Sequence, residues 1–358
     1  MLMEIADFCW LLASGECSMR FTTRIRYYRV RMKVLIYTVW PVPFWEVPKS
    51  QVLRLRERFP DVTFTHALND GEALREIEDA DVALASRLTT LAVQRAPRLR
   101  WVHSTAAAVG ILPLRDLAAR GIAVTNSRGV QAITMAEHVM GGLLVLARRL
   151  DLTLSAQRER RWIQNELGAD ASPWSLHGRM MTIVGLGTTG LEVARCAQAF
   201  GLHVTGIRRR PGQPKPSFVD RVVGPDRLHD ALRGCDVLVI AAPFIPETDR
   251  LIGARQLALL NRGAILVNVA RGRIVDEREL IAALEEKRLG GAVLDVFDRE
   301  PLDSASPLWS LPNVVITPHC SGVRPDHWDA VIELFSDNLL RFRHGEPLLN
   351  LVDCDAGY

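Results

Sequence analysis

Six of the 358 residues are cysteine (Cys9, Cys17, Cys196, Cys235, Cys320 and Cys354), too scattered to form a CxxC pair or a Cys/His cluster. That spacing excludes a zinc ribbon or a disulfide scaffold, leaves no expected metal site, and makes a reducing cytoplasm the expected compartment. An excess of one charge is also missing. Lys and Arg number 44 against 41 Asp and Glu, a net charge of +3, so neither nucleic acid nor an anionic membrane is expected as a partner. The apolar stretch at residues 5–13, IADFCWLLA, falls short of the ~18 residues that a membrane span needs. Acidic Glu4 and Asp7 precede or interrupt it and five arginines follow between residues 20 and 31, the reverse of a secretory signal. Solenoid repeats and low-complexity tracts are absent as well.

What is present, 48% hydrophobic and 24% charged residues, is the make-up of a globular chain long enough for about two domains. Residues 1–31 do not match the rest. They are expected to be a loosely ordered extension, or to follow from an upstream start codon that the native protein does not use. From Met32 the chain alternates apolar strand patterns (MKVLIYT, VTFTH, DVALAS, LRWVHS, IAVTN) with amphipathic helical ones. This predicts an α/β fold with a mostly parallel sheet. Gln131 to Leu150 is apolar on nearly every face, so a helix there is buried on all sides, inside a domain or between subunits. Asp151 to Pro173 is polar and Arg-rich and belongs at the surface. A second run of strand and helix patterns predicts a second doubly wound sheet, Asp326 to Arg343 reads as a long amphipathic helix, and LLNLV (348–352) is placed back on the first domain.

The second half is organised around Met181 to Gly190, MTIVGLGTTG. A buried strand runs into Gly185, Gly187 and Gly190 at GxGxxG spacing, just where a helix should begin. Gly185 permits the tight turn, Gly187 lets backbone approach a pyrophosphate, Gly190 allows close packing of helix on strand, and the amides near Thr188 and Thr189 point at phosphate. A further strand, GLHVTGI, ends at Arg208, 23 residues after Gly185 and close to the ~20 expected for the residue that reads the cofactor ribose.

Three stretches at the ends of strand patterns carry candidate chemistry: VNVARGRIVD with Arg271, DVFDREPL with Glu300 and ITPHCSG with His319. Arg271 offers a permanently charged planar fork for a substrate carboxylate and its neighbouring carbonyl. His319 can give a proton to a carbonyl oxygen or take one from a hydroxyl. Glu300, within reach, would orient the imidazole and favour its charged form.

Together, GLGTTG, PFIPETDRLIG, VNVARGRIVDEREL, LDVFDREPL and TPHCSG resemble the D-isomer-specific 2-hydroxyacid dehydrogenases, over about Met32 to Leu351 and most densely from Asn126 to Gly322. The resemblance implies a flavodoxin-like substrate domain (32–126 and 320–358) with an inserted NAD(P)-binding Rossmann domain (127–319), an Arg/Glu/His site at the cleft between them, and a homodimer. By motif it assigns substrate binding to Arg271, support of the histidine to Glu300 and acid/base work to His319. It puts Thr188 and Thr189 at the pyrophosphate, Ala242, Pro243 and Thr248 along the adenosine, and Val269, Ala270 and Asp295 near the nicotinamide. It also places Ala136 to His138 in the apolar helix at the dimer interface, where a structural role is expected for Glu137 and His138.

Two places depart from the family. Its carboxylate-binding loop has glycine where this chain, in STAAAVG, has Ala108. The amides of Ala107, Ala108 and Val109 can still donate, but a loop needing positive φ would be strained at Ala108. The strand that ends in an acidic residue in NAD-preferring relatives here ends in Arg208, Arg209 and Arg210, which predicts NADP as the preferred cofactor over NAD. Glu300 stands where formate dehydrogenases of this pattern carry glutamine. The expected activity is therefore reduction of a small 2-oxo acid such as glyoxylate or hydroxypyruvate, with Trp45, Trp101 and Trp328 as candidate pocket-entrance aromatics. The competing reading is a dinucleotide-sensing corepressor of the same fold, which the lack of a low-complexity arm or strongly basic tail disfavours.

Overall fold

The computed structural model describes residues 31–169 and 173–358, so the extension expected over 1–31 lies, apart from Arg31, outside the described residues. Twelve strands among them form two sheets. The first holds β1 (Lys33–Tyr37), β2 (Thr63–His66), β3 (Val82–Ala85), β4 (Trp101–Ser104) and β5 (Ala123–Asn126) in the order β2-β1-β3-β4-β5. The second holds β6 (Met180–Val184), β7 (His203–Ile207), β8 (Arg221–Val223), β9 (Val237–Ile240), β10 (Ile265–Asn268), β11 (Gly291–Leu294) and β12 (Val314–Ile316). Its order is β12-β11-β10-β9-β6-β7-β8. Every neighbouring pair is parallel. Helices cover both faces of such sheets, so strands read as unbroken apolar runs. β3, β9, β10 and β11 are buried at every residue. The order reverses between β1 and β3 in one sheet and between β6 and β9 in the other, and ligands bind beyond the strand ends at such reversals.

The helix His327–His344 returns to the first sheet. Its Trp328, Val331, Ile332, Phe335 and Leu339 share one core with Val34, Ile36 and Trp101, and Phe335 stacks on Trp101 at 5.2 Å. LLNLV docks there as expected: Leu351 bridges Thr125 antiparallel, and the Val352 amide donates to the Val124 carbonyl at 2.8 Å. This packing removes two of the three candidate pocket-entrance aromatics. Trp101 is fully buried and its indole donates to Thr125 Oγ1 (2.8 Å), while Trp328 is buried with its indole on the Phe44 carbonyl. Both rings fill the space between sheet and helix. Trp45 is half-buried, edge-on to His327 at 5.1 Å.

Helix Ala132–Ala147 packs on helix Thr188–Ala199 and on β11, so closely that a Cβ on Gly142 would strike Val293. Within one chain its burial is one-sided. Ala136, Val139, Leu143 and Ala147 are buried, but Ile133, Glu137 and Gly141 are exposed. The polar stretch after it stays at the surface yet is largely helical, Leu150–Arg158 and Gln164–Ala169, because its Gln, Glu, Leu and Arg residues are good helix formers.

Candidate active site

β10, β11 and β12 lie side by side, so the loops leaving their C-terminal ends bring Arg271, Glu300 and His319 to one place. His319 Nδ1 and Glu300 Oε2 are 2.6 Å apart, and the other Glu300 oxygen accepts the Phe297 amide at 3.1 Å. An ionised carboxylate only accepts, so Nδ1 carries the hydrogen and Nε2, with no hydrogen-bond partner among the described residues, is left to exchange a proton. Burial pushes the Glu300 carboxyl up, but the hydrogen bonds from His319 and the Phe297 amide and the charges of His319 and Arg271 outweigh it. The net result is a carboxyl below the usual range.

His319 sits in the left-handed region at φ 51°, a conformation that side chains with a Cβ adopt at a cost. What holds it there is Asp295, at the end of β11. The Asp295 carbonyl accepts the His319 amide at 2.9 Å, and its fully buried carboxylate accepts Thr317 Oγ1 (2.6 Å), the Cys320 amide (2.8 Å) and the Ser321 amide (2.9 Å). Burial opposes ionisation of Asp295, and these donors overcome it, lowering its pKa. His138 Nε2 meets Thr317 Oγ1 at 3.0 Å, so the helix Ala132–Ala147 braces the same turn. Asp295, expected near the nicotinamide, is thus seen as the clamp of the histidine turn, with both oxygens engaged. The Cys320 thiol is pushed up by burial and by Asp295, which suits packing.

Arg271 keeps some exposed surface, yet the walls around it lower its pKa by burial, Glu300 opposing. Its guanidinium donates to the Ala270 carbonyl at 2.6 Å, and Asn268 Nδ2 donates to the Arg271 carbonyl at 3.0 Å. Gly272 follows because nothing larger fits. A Cβ there would fall on the Phe297 carbonyl group, three residues before Glu300. The arginine and glutamate loops touch backbone to backbone at that glycine.

At the end of β6, Gly185 has φ 100° and its Cβ would collide with the Ala242 backbone, while a Cβ on Gly190 would collide with the Gly185 carbonyl oxygen. Gly187, the N-cap of helix Thr188–Ala199, has nothing within 4 Å on its Cβ side. A tight turn, an open side and a helix N-terminus bearing Thr188 and Thr189 fit a dinucleotide pyrophosphate. Ala242 is buried, the Pro243 carbonyl accepts Thr248 Oγ1 at 2.8 Å, and that hydroxyl also bonds the Ile245 backbone, so Thr248 shapes its own loop. Val269 and Ala270 are buried at the end of β10. The arginines after β7 divide. Arg208 donates to the carbonyls of Gln213 and Pro214 in its own loop, whereas Arg209 is exposed and lies over the Tyr358 ring at 4.7 Å.

The remaining predicted site is on the first sheet. Ala107 and Ala108, after β4, are exposed, Val109 is buried, and none has positive φ, so Ala108 carries no backbone strain. No hydrogen bond or ion pair among the described residues joins this loop to Arg271, Glu300 or His319. A cavity of ≈ 670 Å³ opens nearby at the β1/β3 reversal, lined by Tyr37, Val39, Trp40, Arg87, Leu88 and Ile111 among others. Sequence reasoning gave no hint of it, since its wall draws on four separate strand ends.

Residues 140–321 match the family model described as D-isomer specific 2-hydroxyacid dehydrogenase, NAD binding domain. The glyoxylate reductase of Korarchaeum cryptofilum is 33% identical over 317 residues, 86% of this chain and 94% of that protein. Among solved structures, a D-isomer specific 2-hydroxyacid dehydrogenase from Xanthobacter autotrophicus Py2 in complex with NADPH and MES is similar with TM-score 0.76 and 30% identity. The match covers 92% of this chain and 100% of that one. An NADPH-dependent glyoxylate/hydroxypyruvate reductase from Sinorhizobium meliloti in complex with NADP and sulfate is similar with TM-score 0.75 and 26% identity, over 91% of this chain and 100% of that one.

Proposed function

The chain belongs to the D-isomer-specific 2-hydroxyacid dehydrogenase family, and on that premise we propose that it reduces a small 2-oxo acid such as glyoxylate or hydroxypyruvate to the D-2-hydroxy acid, with NADPH preferred over NADH. The observation that carries this reading is the 2.6 Å Glu300–His319 pair on the strand ends beside Arg271.

When bound, the nicotinamide supplies a hydride to the substrate's carbonyl carbon. Arg271 pairs with the carboxylate and polarises the adjacent carbonyl, helped by the amides of Ala107, Ala108 and Val109. His319 would deliver the Nε2 proton to the carbonyl oxygen, which becomes the hydroxyl of the product. Glu300 fixes the ring's orientation and offsets the charge His319 carries before it gives up that proton. In oxidation the same nitrogen takes the hydroxyl proton. Gly185, Gly187 and Gly190 with the Thr188 and Thr189 amides receive the pyrophosphate, and Arg209, with Arg208 behind it, receives the 2′-phosphate. The NADP-bound complexes of the two solved relatives support that choice.

We assign residues 127–319 to the cofactor domain and 32–126 with 320–358 to the substrate domain. We assign the contact of a homodimer to the exposed apolar residues Ile133, Leu150, Leu154 and Trp162. The described cysteines are free, in keeping with a reducing cytoplasm. The test is turnover of a panel of 2-oxo acids with each reduced cofactor, alongside Arg271→Ala. Wild-type turnover of glyoxylate or hydroxypyruvate with higher kcat/KM for NADPH is expected, with activity lost and cofactor affinity kept in the variant. Tight dinucleotide binding without turnover of any 2-oxo acid would refute the reading.

A further inference from the structure

After Val352 leaves the edge of β5, residues 353–358 run on from the first sheet toward the second. Cys354 still packs on that core, and the next residues fold into a compact turn. In it the Gly357 amide donates to the Asp353 carbonyl (2.8 Å), the Asp353 amide to the Tyr358 carbonyl (3.1 Å) and the Ala356 amide to the Asp353 carboxylate (2.9 Å). That turn reaches the other sheet at two points. Gly357 passes Ile245 so closely that a Cβ there would touch Ile245 Cγ2 at 3.7 Å, and the Tyr358 ring lies 4.7 Å from the Arg209 guanidinium carbon. Ile245 follows β9 and Arg209 follows β7, the strands flanking β6 and its glycine turn.

The two arginines there are held differently. Arg208 spends donors on the carbonyls of its own loop. Arg209 rests on an aromatic ring, which accepts none of its five N–H groups and leaves them for an anion. A free arginine spreads over many rotamers, and stacking removes part of that freedom before a ligand arrives.

We propose that Tyr358 is a positioning residue for cofactor choice: its ring holds Arg209 ready for the 2′-phosphate of NADPH, and the 353–358 turn ties that site to the substrate domain. This rests on the NADPH reading above. The test is calorimetric titration of the full-length wild type, Tyr358→Ala and Tyr358→Phe with NADPH, NADH and 2′,5′-ADP, without substrate. Tyr358→Ala is expected to weaken NADPH and 2′,5′-ADP about two- to five-fold, the size of one exposed cation–π contact, and to leave NADH unchanged. Tyr358→Phe, which keeps the ring, is expected to match the wild type. Unchanged NADPH affinity in Tyr358→Ala, an equal loss for NADH, or tighter NADPH binding would each overturn the proposal. A wild type that binds NADH more tightly than NADPH would refute the cofactor reading itself, and with it the role of Tyr358, before any variant is compared.

Discussion

Gly272→Ala puts the coupling between the arginine and glutamate loops to the test. The methyl group would be built onto the Phe297 carbonyl and the Asp298 amide, which are backbone and cannot rotate away. The two loops must therefore part, and Arg271, one residue before the substitution, moves relative to Glu300. Overpacking of this kind costs about 1–3 kcal/mol of stability, a minor fraction of the 5–15 kcal/mol of a typical domain, so the variant should fold. Misplacement by about an ångström at a reacting centre costs on the order of 10²-fold in rate. The expected result is kcat/KM for glyoxylate down by roughly 10²-fold, with NADPH affinity by fluorescence titration unchanged, because the glycine turn after β6 is untouched. A variant within two-fold of the wild type would refute the idea that contact at Gly272 sets the spacing of the two side chains.

Gly187→Ala makes the opposite separation: its φ of −87° suits alanine and its Cβ side is open, so the denaturation midpoint should stay put while NADPH affinity falls about ten-fold or more, read by titration. Asp295→Ala orphans the donors of Thr317, Cys320 and Ser321 at about 1–3 kcal/mol each, and urea denaturation should show a loss on the order of 3–9 kcal/mol. The lowered pKa of Asp295 gives stability that is present above its unfolded value, about 3.9, and is lost as pH falls through the folded one. Asp295→Asn should therefore flatten the wild type's acid-side decline in stability below about pH 4. Sedimentation should give a dimer for the wild type, and Ile133→Glu, at an exposed position of the apolar helix, should shift it toward monomer.

The strands were legible because parallel sheets demand unbroken apolar runs, and Arg271, Glu300 and His319 because each stands just past such a run. Side-chain facing was not. Trp101 and Trp328 read as candidate aromatics of the pocket entrance, yet both point into the core shared by the first sheet and helix His327–His344, a contact across more than 200 residues. Asp295 read as a residue of the nicotinamide end, while its burial under the 317–321 turn depends on the β11–β12 register. The apolar helix at 132–147 is buried on one side only within the chain, since hydropathy alone does not say which of its apolar faces a neighbouring element covers. The Arg209–Tyr358 contact had no local signal at all.

The claim on which the rest depends is that the imidazole of His319 moves the proton. His319→Gln, assayed for kcat with glyoxylate and saturating NADPH across pH 5–9 together with NADPH affinity, tests it most directly. The expected result is a fall in kcat of about 10²–10⁴-fold, a pH profile flatter than the wild type's and unchanged cofactor affinity. A kcat and pH profile like those of the wild type would contradict it.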